Sequence, residues 1–363
     1  METQSLAVPG ERSLAPTFPR FDAAGRRSAP PSRPFLGYIH AFRALAITFI
    51  VAGHAIDLFD WTERPGVERA LRIVLGNGTT LFIFIAGFLF QHLLPKFEVK
   101  RYYRSKLKNV LLPYALISIP AIVYYTAFAQ REKAWPGLYE QPIWAQIAIF
   151  LGTGTHVTPL WFIPMIAIFY AIAPLLRRLD RLPGFYLMIP AFLVVSCLVP
   201  RANFYVNFVH YFSVYVLGMC VSRHQDWVVD RLRRNRSVAA SAAIVVLLAA
   251  AEYFLTRESL TYLNLLQKIA FSAFAVGVLA RLTSSKVAPW VGVVAECSYG
   301  VFFVHSYVLA GFKGLTEFAL GCLITGGPEV TFLGLAATLA ASIGLVQIVR
   351  ALLGSKSRVV IGC

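Results

Sequence analysis

Ten stretches of this chain, about 38–59, 74–94, 109–129, 158–176, 184–200, 203–222, 238–256, 262–282, 290–311 and 330–352, are apolar over all or most of the length a helix needs to cross a bilayer. That length is about 20 residues, set by a hydrocarbon core about 30 Å thick and a helical rise of about 1.5 Å per residue. Such a helix satisfies its backbone polar groups internally, so the pattern predicts an all-α integral membrane protein with about ten transmembrane helices. The stretches at 184–200 and 203–222 read as short or tilted spans. Residues 142–152 (PIWAQIAIFLG) are apolar but too short to cross, and predict an interfacial or re-entrant helix. Composition agrees: of 363 residues, 57% are hydrophobic and only 14% charged, with a mean hydropathy of +0.63. A soluble chain carries roughly a quarter charged residues. A disordered chain, a secreted disulfide scaffold and an ordinary cytosolic enzyme are excluded.

The formal charge of +16 would point to nucleic acid in a soluble protein. Here the basic residues sort by loop instead. Taking loops and span ends alternately along the chain, 24 Lys and Arg fall on one side and 8 on the other, with Arg43 and Lys268 left out as lying within spans. Basic loops stay in the cytoplasm, so both termini are expected there and no nucleic-acid partner is expected. Residues 1–35 hold six prolines and five arginines and predict a disordered basic tail. The membrane domain then covers 36–353, and 354–363 form a short cytoplasmic tail. The five cysteines are scattered singly, so neither a disulfide framework nor a metal site is expected. There is no phosphate-binding glycine loop, no dinucleotide fingerprint, no nucleophile elbow and no internal repeat.

Ionisable groups inside a span cost about 2.5–3.5 kcal/mol each on insertion scales, so each needs a reason. Arg43 and His54 share the first span. Eleven residues apart, they are separated by about 16.5 Å along the helix and only about 20° around it, so both face the same way. Asp57 follows His54 at i+3, where it can orient an imidazole. The plainer alternatives are an Arg43 that snorkels to the interface and a His54 that bonds a neighbouring helix. His305 lies at the depth of His54, and His156 and Trp161 begin the fourth span near that level, so His54, His305 and Trp161 are expected to line one cavity. Packing and interfacial roles are the alternatives for His305 and Trp161. Glu252 and Lys268 flank a short turn and predict an ion pair, and Glu296 lies at the depth of Arg43 as its expected partner. Before the third span, Lys100, Arg101, Arg104, Lys106 and Lys108 form a basic run. It suits phosphates or anionic lipid head groups, or acts only as a topology signal.

Together these motifs resemble acyltransferase family 3, the multi-pass O-acyltransferases of surface glycans. The resemblance runs over about 36–311. It rests on GYIHAFRALAITFIVAGHA, with an Arg followed eleven positions later by His, and on TTLFIFIAGFLF, the basic run into LLPY, PLWFIPMIAIFYAIAPLL and CSYGVFFVHSYVL. The chain departs from the family pattern at His40, where an acidic residue is usual, at Ala86 in place of a serine, and at Asn109 in place of an arginine. The resemblance implies an acyltransferase in the bacterial inner membrane that takes an acyl group, expected to be acetyl, from acyl-CoA as co-substrate. No tightly bound cofactor is implied. The acceptor would be a hydroxyl of an exopolysaccharide, lipopolysaccharide or lipid-linked glycan, and the partners membrane lipids and polysaccharide-biosynthesis proteins. His54 and Arg43 are the implied catalytic pair, with Asp57, His305, Trp161 and Glu296 in support. Arg101, Arg104, Lys106 and Lys108 would bind the donor. His54 acts either as a general base or as the carrier of the acyl group. A glycan or lipid transporter or flippase is the competing reading, since it would use the same buried polar residues as a pathway.

Overall fold

A computed structural model describes residues 36–132, 134–282 and 289–363. The basic tail expected over 1–35, together with Lys133 and Lys286 of the loop comparison, lies outside the described residues. Among the described residues the chain is helical throughout, and its one extended contact is the bridge between Asp60 and Thr325. In chain order the helices are α1 (Gly37–Ala55), α2 (Pro65–Leu75), α3 (Thr79–Leu93), α4 (Val99–Lys106), α5 (Leu112–Ala127), α6 (Ile143–Thr153), α7 (Phe162–Ala171) and α8 (Ala173–Leu179). They continue as α9 (Ile189–Leu198), α10 (Phe204–Arg223), α11 (Gln225–Leu232), α12 (Asn235–Leu255), α13 (Tyr262–Leu279), α14 (Pro289–Leu320), α15 (Pro328–Leu353) and α16 (Ser357–Val360).

Each of the ten expected apolar stretches carries helix. Among the described residues, eight helical segments are long and apolar enough to cross a membrane, and a bent pair raises the count to as many as nine. The pair is Ile143–Thr153 with Thr158–Ala171, bent by 73°, so the short 142–152 stretch is one arm of a broken span or re-entrant loop. The stretch at 184–200 is a shorter apolar helix, Phe185–Leu198. The second span starts earlier than its hydropathy suggests. Arg64, Arg69 and Arg72 read as loop, but Arg69 and Arg72 lie on α2, which runs on into α3 through a break at 76–78. Proline at the first turn starts α2 and α15, where a missing N–H costs nothing. Asn203 and Thr261 cap α10 and α13 with side-chain oxygens.

α1 runs through the middle of the bundle, against α2, α3, α13, α14 and α15. Ten of its residues are buried, among them Phe42, Ile47 and Val51. α3 and α10 cross in close contact because each presents a glycine: a Cβ on Gly87 would fall 2.0 Å from the Tyr215 carbonyl oxygen, and one on Gly218 2.1 Å from that of Phe84. α12 and α15 lie at the periphery, with large apolar side chains such as Leu247, Phe254, Leu333 and Leu352 exposed as a lipid-facing surface requires.

Candidate active site

α1 delivers Arg43 and His54 to opposite ends of the bundle. Arg43 lines a cavity of about 670 Å³ with Lys96, Glu98, Arg101, Lys106 and Arg358. Five cations therefore face one carboxylate, an arrangement that favours a polyanion. The Arg43 Nη2 donates to Ser298 Oγ at 3.1 Å, and that hydroxyl donates onward to the Ala295 carbonyl at 2.8 Å. Glu296, expected as its ion partner, lines an adjoining cavity with Arg43 but makes no ion pair with it; the Arg350 guanidinium bonds the Glu296 backbone carbonyl instead. The basic run divides by helical face. Arg101 and Lys106 line the cavity, and the Lys106 ammonium lies 4.6 Å from the Tyr170 ring centre and 5.3 Å from that of Tyr102. Arg104 and Lys108 are exposed and line neither cavity.

At the other end His54 stands between two cavities. One, about 200 Å³, is lined by Asn77, Thr79, Trp161, Arg72 and Arg201. The other, about 560 Å³, is lined by Tyr124, Tyr125, Tyr307, His156, Arg131 and Lys313. Trp161 thus shares a cavity with His54 as expected. His305 does not: it is fully buried behind His54, ring centres 5.5 Å apart. Its Nδ1–H donates to the Val301 and Phe302 carbonyls at 3.0 and 2.9 Å, which leaves Nε2 as a buried acceptor without a partner. Asp57 stays near His54, Oδ2 to Nδ1 3.9 Å, but its close bond is to Arg72 at 2.8 Å, and Arg72 also holds Glu68 at 2.8 Å.

Three phenylalanines separate the two ends. Phe82 and Phe162 line the Arg43 cavity, while Phe162 and Phe302 line the smaller His54 cavity. Their ring centres lie 5.4–6.4 Å apart, within the range of aromatic contact.

The expected Glu252–Lys268 pair is not formed. Both side chains are buried, but Lys268 Nζ donates to the Ile73 and Val74 carbonyls, closing the end of α2, and Glu252 accepts from the Thr261 N–H and hydroxyl. Each therefore satisfies exposed backbone next to a helix end instead of its opposite charge.

Sequence reasoning missed Arg358, Arg201 and the break at 76–78. Residues 354–363, expected as a tail, fold against the bundle: Ser357 and Ile361 are buried, and Arg358 reaches the Arg43 cavity. The Gly-Asn-Gly run within an apolar stretch was the one signal available for the break.

No curated protein and no solved structure matches the chain. A family model described as an acyltransferase domain, that of acyltransferase family 3, matches residues 36–347. With most of its length covered, and its Arg43–His54 helix at the centre of a bundle of membrane-length helices, the chain belongs to that family of acyltransferases.

Proposed function

We propose that this membrane acyltransferase moves an acyl group, acetyl in the simplest case, from acyl-CoA to a hydroxyl of a surface or lipid-linked glycan. The observation that carries this reading is the placement of Arg43 and His54 on one helix, in separate cavities, one with five cations about a single carboxylate and the other rich in tyrosine. The five-cation cavity suits the phosphates of a CoA-like donor. The larger His54 cavity joins three tyrosines to Arg131 and Lys313, which suits the apolar faces and hydroxyls of sugars. The 24-to-8 loop bias supports a cytoplasmic Arg43 end, where acyl-CoA is made, in the inner membrane of a bacterium.

In this reading the acceptor hydroxyl attacks the thioester carbonyl while His54 takes its proton, a role suited to an imidazole near neutral pH. Asp57, itself held by Arg72, restricts the imidazole ring. Arg43 and the cations beside it hold the donor. Purified protein in nanodiscs, given labelled acetyl-CoA and a glycan fraction from the source cells, should release CoA only when the glycan is present and should label the glycan. CoA release that is absent, or unaffected by every glycan offered, overturns the proposal.

A further inference from the structure

The break between α2 and α3 contains an unused group of hydrogen-bond donors beside His54. Asn77 has a left-handed backbone, φ 59°, and Gly78 follows in the right-handed region at φ −55°, ψ −19°. That alternation turns the N–H groups of 77, 78 and 79 toward one side, forming a concave anion-binding nest at the start of a 15-residue helix. None of the three donates a hydrogen bond among the described residues. A second observation is independent of the backbone. Asn77 is only 7% exposed, its Oδ1 accepts the Tyr211 hydroxyl at 2.6 Å, and its Nδ2 has no partner although the residue lines the 200 Å³ cavity. A buried amide without a partner costs about 1–3 kcal/mol, so the site is built for something that accepts a hydrogen bond. Arg201 adds positive charge to the same cavity. It has no ion pair among the described residues, and its Nε is buried without a partner.

The break is held against α1 beside the histidine. A Cβ on Gly78 would lie 2.7 Å from the Ile50 nitrogen, and one on Gly53 3.5 Å from the Gly76 Cα. The nest thus packs on α1 one turn before His54, the residue next to His54 packs on Gly76 at the edge of the break, and both His54 and the nest line one cavity.

We propose that the 77–79 N–H groups and Asn77 Nδ2 form the oxyanion hole of the acyl transfer, an inference that rests on the function proposed above. The acceptor oxygen bonds to the acyl carbon and gives its proton to His54. The carbonyl π pair moves onto the carbonyl oxygen, which takes the negative charge and enters the nest. Collapse restores the carbonyl and breaks the carbon–sulfur bond, and the CoA thiolate leaves with the proton returned by His54. Donors placed in advance where charge develops stabilise that state more than the neutral thioester. Tyr211 is a positioning residue, since its hydroxyl fixes which way the Asn77 amide points.

The test is steady-state kinetics of Asn77→Gly in nanodiscs. Glycine keeps the left-handed backbone and removes only the amide. A fall in kcat of about 10²–10³ with both KM values unchanged is expected, as for loss of one oxyanion donor. Asn77→Asp, which keeps the size but reverses the field, should fall further. Tyr211→Phe leaves the break intact and should lower kcat by about tenfold through a less ordered amide. Melting temperature and membrane yield check folding, and the Tyr211 variant decides the matter if the Asn77 variants do not fold. An unchanged kcat, or a raised KM with kcat intact, overturns the inference and leaves the proposed function standing. A wild-type protein that transfers no acyl group from acyl-CoA overturns both.

Discussion

The Arg43 and His54 ends are built from different materials. At the Arg43 end five cations and one carboxylate are set into a largely apolar and aromatic wall, the cations contributed by α1, α4, the 94–96 turn and the C-terminal segment around α16. At the His54 end charges are mostly matched or spread: Asp57 holds Arg72, Arg131 bonds the His156 carbonyl at 2.7 Å, and tyrosines fill the remainder. Lys313 and Arg201 have no ion pair among the described residues, and the Arg201 guanidinium lies 5.9 Å from the Trp161 ring centre. In the proposed function one end would hold phosphates through its cations, and the other would hold a sugar through shape and hydrogen bonds. A single central helix serves both cavities, so in that reading the two substrates would enter separately.

The largest effect that separates the ends concerns His54. His54→Ala should lower kcat by about 10²–10⁴, the contribution of a general base, with protein level intact because loss of a polar group does not hinder insertion. Full glycan acylation in cells carrying this variant would remove His54 from the chemistry. Next, Arg101→Ala with Lys106→Ala should raise the KM for acyl-CoA by about 10²-fold and leave the acceptor KM alone, since each charge-assisted bond contributes about 1.5–3 kcal/mol. Arg104→Ala with Lys108→Ala should do nothing comparable; equal effects from the two pairs would mean the run acts through general charge and not through the cavity. Arg131→Ala should raise the acceptor KM by about tenfold without touching that of the donor. A donor effect here would erase the distinction between the ends. Smallest of all, Asp57→Asn should cost only a few-fold in kcat, because Oδ2 stands 3.9 Å from the imidazole. A loss as deep as that of His54→Ala would make the carboxylate part of the chemistry.

Apolar run length foretold the membrane fold, and an eleven-residue interval put Arg43 and His54 on one face, because both properties are local to one helix. Tertiary placement was not legible. Arg101 and Arg104 differ by three residues in one basic run, yet only the packing of α4 decides which of them meets Arg43. Charge complementarity misled at Lys268 and Glu252, where α2 and the 256–261 turn supplied backbone partners that hydropathy had assigned to loop. Arg358 lies beyond the matched family region, in a segment whose composition resembles an ordinary tail.

Cavities that reach inward from both ends leave little insulation between them. Across most of the protein a transmembrane voltage is spread over about 30 Å of hydrocarbon. Near α1, Phe82, Phe162 and Phe302, in mutual contact with ring centres 5.4–6.4 Å apart, stand between a cavity that Arg43 lines and one that His54 lines. A unit charge crossing the membrane exchanges about 2.3 kcal/mol per 100 mV, and a neutral group exchanges none. Under the proposed function those three rings would bar ions between the two cavities, while an uncharged acyl group passing them would do no work against the voltage.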